Sequence, residues 1–220
     1  MILEIDSKED CTVLTVHHLN DSRSQRIIWL LEELGLPYEI RRYQRDPETR
    51  LAPLELKQVH PLGKSPVLTD GPTTVIESGA IIDYIIRRHG GGRLQPSPDT
   101  VAYDEYVQWM HYAEGSAMLP LILNFYVARL GEAGAPLFPR IEAEIANHLG
   151  YLDRTLAARA YLLGDAFSGA DVQMSFVGEM AGFYGKRSPH ANLDAWVGRL
   201  HYRPAYQRAL EKGGGSRFAC

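Results

Sequence analysis

The sequence is poor in cysteine. It has two in 220 residues, Cys11 and Cys220, near the two ends. There is no CxxC pair and no grouping of Cys with His, which disfavours a structural zinc site and a dithiol redox motif; no metal is expected. Long apolar runs are also missing: no stretch approaches the roughly 18 residues that a membrane-spanning helix needs. Lys and Arg form no block and the formal net charge is -4, which argues against a nucleic-acid surface. The opening MILEIDSKED is acidic and has no basic stretch followed by an apolar one, so no secretory signal is expected there. No tyrosine occurs between Cys11 and Pro37. What remains is a chain with 45% hydrophobic residues, enough for one large core or two smaller ones, in a reduced, cytoplasmic setting.

What is present is organised around residues 12–37, TVLTVHHLNDSRSQRIIWLLEELGLP. Val13 to His18 is apolar and β-branched and predicts a buried strand. Asn20-Asp21 is a turn. Ser22, with Gln25 three positions on, fits a capping box. Ile27, Leu30, Leu31 and Leu34 then recur at helical spacing, and Gly35 and Pro37 end the helix. YEIRRY, residues 38–43, reads as a strand near a sheet edge, and residues 44–59 as loop with a short helix. Val67-Leu68-Thr69 and Thr74-Val75-Ile76 flank the turn Asp70-Gly71-Pro72 and predict a hairpin. Ser78 is expected to cap a helix carrying Ile81, Ile82, Ile85 and Ile86. The first connection requires a parallel pair and the hairpin an antiparallel one, so a mixed sheet covered by helices is expected.

GGGRLQPSP, residues 90–98, reads as a linker. Beyond it the pattern is helical throughout: 99–130, a break at 131–136, 137–159, a capping box at Ser168-Gly169-Ala170-Asp171 opening a helix through Phe183, then 193–200 and 204–210. The expected architecture is an α/β domain over 12–89 and an all-α domain over 99–211, with flexible termini at 1–11 and 212–220.

Three spots are expected to meet at one edge of the first domain. At the turn before the first helix, Ser22 has two candidate roles. It is either a plain N-cap, or a hydroxyl that donates to an anion at the positive end of the helix. At Lys64-Ser65-Pro66, a cis bond before Pro66 would leave the Ser65 backbone to pair with an extended, peptide-like ligand. At Glu77-Ser78-Gly79, Ser78 and the N–H groups behind it suit a carboxylate, and Glu77 suits an ammonium. One ligand with an amino-acid head, a peptide body and a softer anion fits all three.

These residues carry a resemblance. SRSQRIIWLLEELGLPYE, then HPLGKSPVL, then ESGAIIDYI, then a helical domain with SGADVQMSF, resemble the cytosolic glutathione transferases over essentially the whole chain. The similarity is greatest to a fungal and bacterial branch with a serine-type turn. The resemblance implies a thioredoxin-like first domain with a four-stranded sheet, an all-helical second domain, a homodimer and glutathione as co-substrate. It implies that the γ-glutamyl head sits on Glu77 and Ser78 and the cysteinyl backbone on Ser65. Lys64 then lies near the glycyl end, with Asn20, Arg23 and His60 also at the site and the thiol aimed at Ser22. Some branches place a tyrosine at the end of the first strand and others a cysteine in the turn; this chain has neither. Asn20 and Arg23 remain alternatives to Ser22.

The energetics allow a hydroxyl to serve. A thiol of pKa about 8.5 must drop by about 2 units, roughly 2.7 kcal/mol, to be mostly thiolate at neutral pH. A helix N-terminus supplies roughly 0.3–2 kcal/mol and a hydrogen bond to a charged group about 1.5–3 kcal/mol. The thiolate is the nucleophile, and the expected reaction is its addition to a small hydrophobic electrophile, or reduction of a peroxide. A disulfide reductase and a non-catalytic binding scaffold are the alternatives. His17 and His18 read as satisfied core histidines. His111, Tyr112 and Ser116 are candidates for a second-substrate pocket, set against ordinary helix packing.

Overall fold

The apolar run after Val13 forms β1 (Leu14–Leu19), an inner strand of a sheet in a computed structural model that describes residues 13–219. Cys11, Cys220 and the acidic arm of residues 1–11 lie outside the described residues. β1 pairs in parallel with β2 (Tyr38–Tyr43) and antiparallel with β3 (Val67–Asp70), which forms a hairpin with β4 (Thr73–Ile76). Among the described residues the sheet is four-stranded and mixed, in the order β2-β1-β3-β4. Leu14, Val16 and Leu68 pack against α1 (Ser24–Leu34) and α3 (Ser78–Arg88). Leu19 and Tyr43 meet Leu56 of α2 (Leu56–Val59) in a separate small cluster. This is the thioredoxin-like arrangement that the resemblance implies.

The helical domain follows. It comprises α4 (Val101–Tyr112), a π turn (Ala113–Ala117), α5 (Met118–Val127), a 3-10 segment (Ala128–Leu137), α6 (Phe138–Leu156), α7 (Gly169–Phe183), α8 (Ala191–His201) and α9 (Pro204–Gly213). The unbroken helix expected over 99–130 is thus interrupted by a π turn, which widens the helix at Glu114. α7 is buried from Gly169 through Ala181 and is the axis of the bundle. Its start is the capping box read from the sequence. One Asp171 oxygen accepts from the Ser168 N–H (3.0 Å), and the other from the Leu162 N–H and the Trp196 ring N–H (3.0 Å each). One carboxylate therefore joins the α6–α7 loop, α7 and α8.

α1 ends as its sequence suggests. Gly35 takes φ 64° and its N–H reaches back to Leu31 and Glu32, a conformation that suits glycine. Its beginning differs. The first helical residue is Ser24, Arg23 is already helical at the N-cap position, and Gln25 is buried toward α9, so Ser22 and Gln25 make no capping box. The helix is buried on more than the stripe of Ile27, Leu30, Leu31 and Leu34. The face opposite the isoleucines is covered by α7 and α9, with Trp29 edge-on to Tyr206 and Glu33 paired with Arg203 at 2.6 Å. Ser78 is likewise not a cap: it is the first residue of α3, and Glu77 holds the cap position. The tail expected to fray is docked. Gly213 still belongs to α9, Phe218 packs on Phe176 and Phe183, and the Arg217 N–H donates to Asp21 at 3.1 Å.

Replacing Asp171 by Ala strands the buried N–H groups of Leu162, Ser168 and Trp196. At about 1–3 kcal/mol for each unsatisfied donor, Asp171→Ala should lower the unfolding free energy by about 3 kcal/mol or more in urea denaturation. A loss below about 1 kcal/mol would show that the box is incidental to the fold.

Candidate functional site

The C-terminal end of β1, the segment before β3 and the start of α3 converge because β1 and β3 are neighbours. Ser65 ties them together: its hydroxyl donates to the His17 carbonyl (2.8 Å) and accepts from the Leu19 N–H (3.2 Å). The Ser65-Pro66 peptide is cis. Among the described residues, the backbone N–H and carbonyl of Ser65 have no hydrogen-bond partner, so both remain for an extended ligand.

The start of α3 is an anion site. The first helical bond runs from the Ile81 N–H to the Glu77 carbonyl (2.9 Å), which leaves the N–H groups of residues 78–80 unpaired within the helix. Ser78 is buried and accepts from the Arg26 guanidinium at 3.0 Å. Arginine only donates, so the single hydroxyl proton of Ser78 is free to point at a bound carboxylate. Glu77 beside it holds φ 68°, a region that side chains other than glycine rarely adopt, and its carboxylate is exposed.

Arg26 is the electrostatic centre. One of its terminal nitrogens reaches Ser78, Glu114 (2.8 Å) and Gln173 (3.1 Å), and Phe176 lies under the guanidinium at 5.2 Å. Glu114 also accepts from Arg23 at 2.8 Å. Burial alone would raise the Glu114 carboxyl, but Arg26 and Arg23 outweigh it and hold it at about 2. Glu114 is thus the shared counter-charge of Arg23 and Arg26.

Arg23, His60, Lys64, Ser65, Glu77 and Ser78, all singled out from the sequence, line one cleft of about 250 Å³, completed by Leu62, Pro66, Ile76 and Glu114. Two candidates stand apart from this lining. The Asn20 side-chain carbonyl accepts from the Arg45 N–H (2.8 Å), which commits it to the loop after β2. Ser22, the chain neighbour of the cleft residue Arg23, is buried and bonds Ser24 Oγ at 2.7 Å. His111, Tyr112 and Ser116 do not line the cleft either. Tyr112 instead bonds His148 (2.6 Å) and packs on Trp109 and Tyr151, so helix packing takes it. That segment contributes Glu114 instead. The sequence offered no signal for Glu114 beyond its place inside the run already singled out, because its partners lie about ninety residues away.

Two family models match: the glutathione S-transferase N-terminal domain over residues 12–87 and the glutathione S-transferase C-terminal domain over residues 113–204. The chain belongs to the glutathione S-transferase family. It is 35% identical to glutathione S-transferase 3 of Schizosaccharomyces pombe, spanning 91% of this chain and 88% of that one. It is 31% identical to glutathione S-transferase 1 of Saccharomyces cerevisiae, over 91% and 95%. Among solved structures, a glutathione S-transferase from Actinobacillus pleuropneumoniae superposes with a TM-score of 0.83 at 32% identity, covering 93% of this chain and 94% of that one. A family member from Pseudomonas fluorescens, crystallised with two glutathione bound, gives 0.77 at 27% identity, covering 93% and 95%. The enzyme's fold and its family therefore agree.

Removing Glu114 leaves the buried Arg26 charge unmatched. Glu114→Ala should cost about 3–5 kcal/mol in chemical denaturation. The sign in acid follows from the lowered carboxyl: its contribution is full above the ordinary Glu value and is lost as pH falls toward about 2. The wild type should therefore lose more stability than Glu114→Ala over that window, and parallel losses would contradict the assignment.

Proposed function

We propose that the cleft binds glutathione and that the enzyme adds its thiolate to small hydrophobic electrophiles, with peroxide reduction as a related activity. The observation that carries this reading is one cleft holding a carboxylate site at the α3 N-terminus, an exposed carboxylate at Glu77 and an unpaired peptide unit at Ser65. The γ-glutamyl carboxylate goes to Ser78, its ammonium to Glu77, the cysteinyl unit to Ser65, and the glycyl end toward Lys64 and His60. Residues 12–89 form the glutathione-binding unit and 99–211 the helical one. The sulfur then reaches the turn between β1 and α1, where Ser22 supplies the hydroxyl and Arg23 the nearby charge, a serine-type site. The fungal and bacterial relatives favour that branch, and a cytoplasmic homodimer completes the reading.

A second reading, glutathione-dependent reduction of disulfides, is favoured by the Pseudomonas fluorescens neighbour, whose two bound glutathiones bring two thiols into one protein. Retention on immobilised glutathione together with conjugation of an aryl halide supports the first reading. Reduction of a model disulfide without conjugation favours the second, and retention without either activity assigns a binding scaffold. Ser22→Ala should raise the apparent pKa of the bound thiol by about 1–2 units, the worth of one hydrogen bond to a charged group. An unchanged pH–rate profile would move the role to Arg23.

A further inference from the structure

Ser22 does not end its chain of contacts at Ser24. Ser24 Oγ lies 2.7 Å from Ser22 Oγ and 2.8 Å from His18 Nδ1, and His18 Nε2 lies 2.9 Å from the Gly213 carbonyl. All three side chains are buried. The donor inventory and the distances together set the direction of each bond. A carbonyl only accepts, so His18 Nε2 carries the proton, and in the neutral ring Nδ1 is a bare acceptor. Ser24 spends its one proton on Nδ1; the Leu19 carbonyl, at 3.3 Å, is the longer alternative. Toward Ser22, Ser24 then only accepts, so Ser22 must donate to it. At rest, therefore, the Ser22 proton points inward. Its oxygen accepts weakly from the Ser24 N–H at 3.3 Å and keeps one lone pair free. That is the wrong polarity for holding a thiolate and the right one for receiving a proton.

We propose that Ser22, Ser24 and His18 form a relay that takes the proton from the bound glutathione thiol. This rests on the reading of Ser22 as the residue that meets the sulfur. The S–H bond breaks and its electron pair stays on sulfur. The proton joins Ser22 Oγ, the former Ser22 proton passes to Ser24 Oγ, and the former Ser24 proton passes to His18 Nδ1. Both serines end neutral, and the imidazolium donates to Gly213 and to Ser24. The Ser22–Ser24 and Ser24–His18 hydrogen bonds have reversed while the bond to Gly213 is kept, so Ser22 now donates to the thiolate it has just produced. Ser24 and His18 are positioning residues, because neither touches the substrate.

The surroundings of His18 suit a receiver that is empty at rest. Burial lowers the affinity of its ring for a proton, the Gly213 hydrogen bond opposes that, and Arg42 lowers and Asp21 raises it; the balance lies below the ordinary imidazole value. Gly213 is the last residue of α9, so its carbonyl belongs to the negative end of a helix, where an imidazolium is favoured. The nearby charged groups each have partners of their own. Arg42 donates to the Lys212 carbonyl, the Lys212 ammonium pairs with Glu32, and the Arg217 N–H holds Asp21.

The test is the ultraviolet thiolate absorbance of enzyme-bound glutathione followed against pH. Ser24→Ala cuts the relay while leaving Ser22 and His18 in place. It should raise the apparent thiol pKa by about 1 unit and lower kcat about tenfold at neutral pH, with KM for glutathione within about twofold; Ser24→Thr should restore both. His18→Gln should give the same shift. If both variants titrate like the wild type while Ser22→Ala shifts, the relay is wrong and the Ser22 reading stands. If Ser22→Ala is also silent, the Ser22 reading falls and the relay with it. Nitrogen NMR of the wild-type protein tests the relay without any substitution: the neutral His18 ring should carry its proton on Nε2, and a proton on Nδ1 would overturn the proposal.

Discussion

One buried guanidinium holds this structure in register. Arg26 sits on the helix that follows the inner strand of the sheet, and it meets Ser78 from the sheet domain and Glu114 and Gln173 from the helical domain. A full charge in that position is costly unless matched, so the two domains cannot separate without exposing a mismatch on each side. The same contact sets the polarity of Ser78. Because arginine can only donate, the Ser78 hydroxyl keeps its proton free for an anion at the helix start. The interaction that joins the domains thus also prepares one end of the cleft.

The other end is prepared by a second chain of polar contacts. Ser65 bridges β1 and the segment before β3, and His18, Ser24 and Ser22 run from the end of α9 to the turn before α1. In both cases an atom with only one hydrogen-bonding role, a guanidinium N–H or a backbone carbonyl, dictates the orientation of hydroxyls several ångström away. The docking of α9 against α1 therefore bears on the chemistry, since the Gly213 carbonyl selects which nitrogen of His18 carries the proton. Burial of the His18–Ser24–Ser22 chain is tolerable because each of its members has hydrogen-bond partners, whereas Arg26 bonds through one terminal nitrogen and its Nε and other terminal nitrogen are buried without a partner among the described residues.

Much of this was legible in the residues. The mixed sheet followed from a strand–helix–strand unit and a hairpin turn, the end of α1 from Gly35, and the start of α7 from the spacing of Ser168 and Asp171. Of the six expected cleft residues, Ser65, Glu77 and Ser78 followed from local chemistry at loop and helix starts, and Arg23, His60 and Lys64 from the family resemblance. What escaped notice depended on partners far along the chain. Arg26 looks like the polar face of an amphipathic helix until α7 covers it. Ser22 and Gln25 have the spacing of a capping box, yet Gln25 is buried against Gly213 of α9 instead of reaching back to Ser22, so no box closes. Tyr112 and Glu114 are two residues apart, and only the π turn decides which of them faces the cleft. The C-terminal tail carries three glycines in a row, and it docks through the Phe218 ring and the Arg217 N–H that reaches Asp21.

The most direct measurement is a crystal structure of the wild-type enzyme with glutathione bound. The account predicts the γ-glutamyl carboxylate at Ser78 and the α3 N-terminus, the cysteinyl unit paired with the Ser65 backbone, and the sulfur within hydrogen-bonding distance of Ser22 Oγ. A tripeptide seated instead in the hollow of about 360 Å³ beside Trp109, Tyr151 and Arg159, or a sulfur turned away from the start of α1, would contradict it.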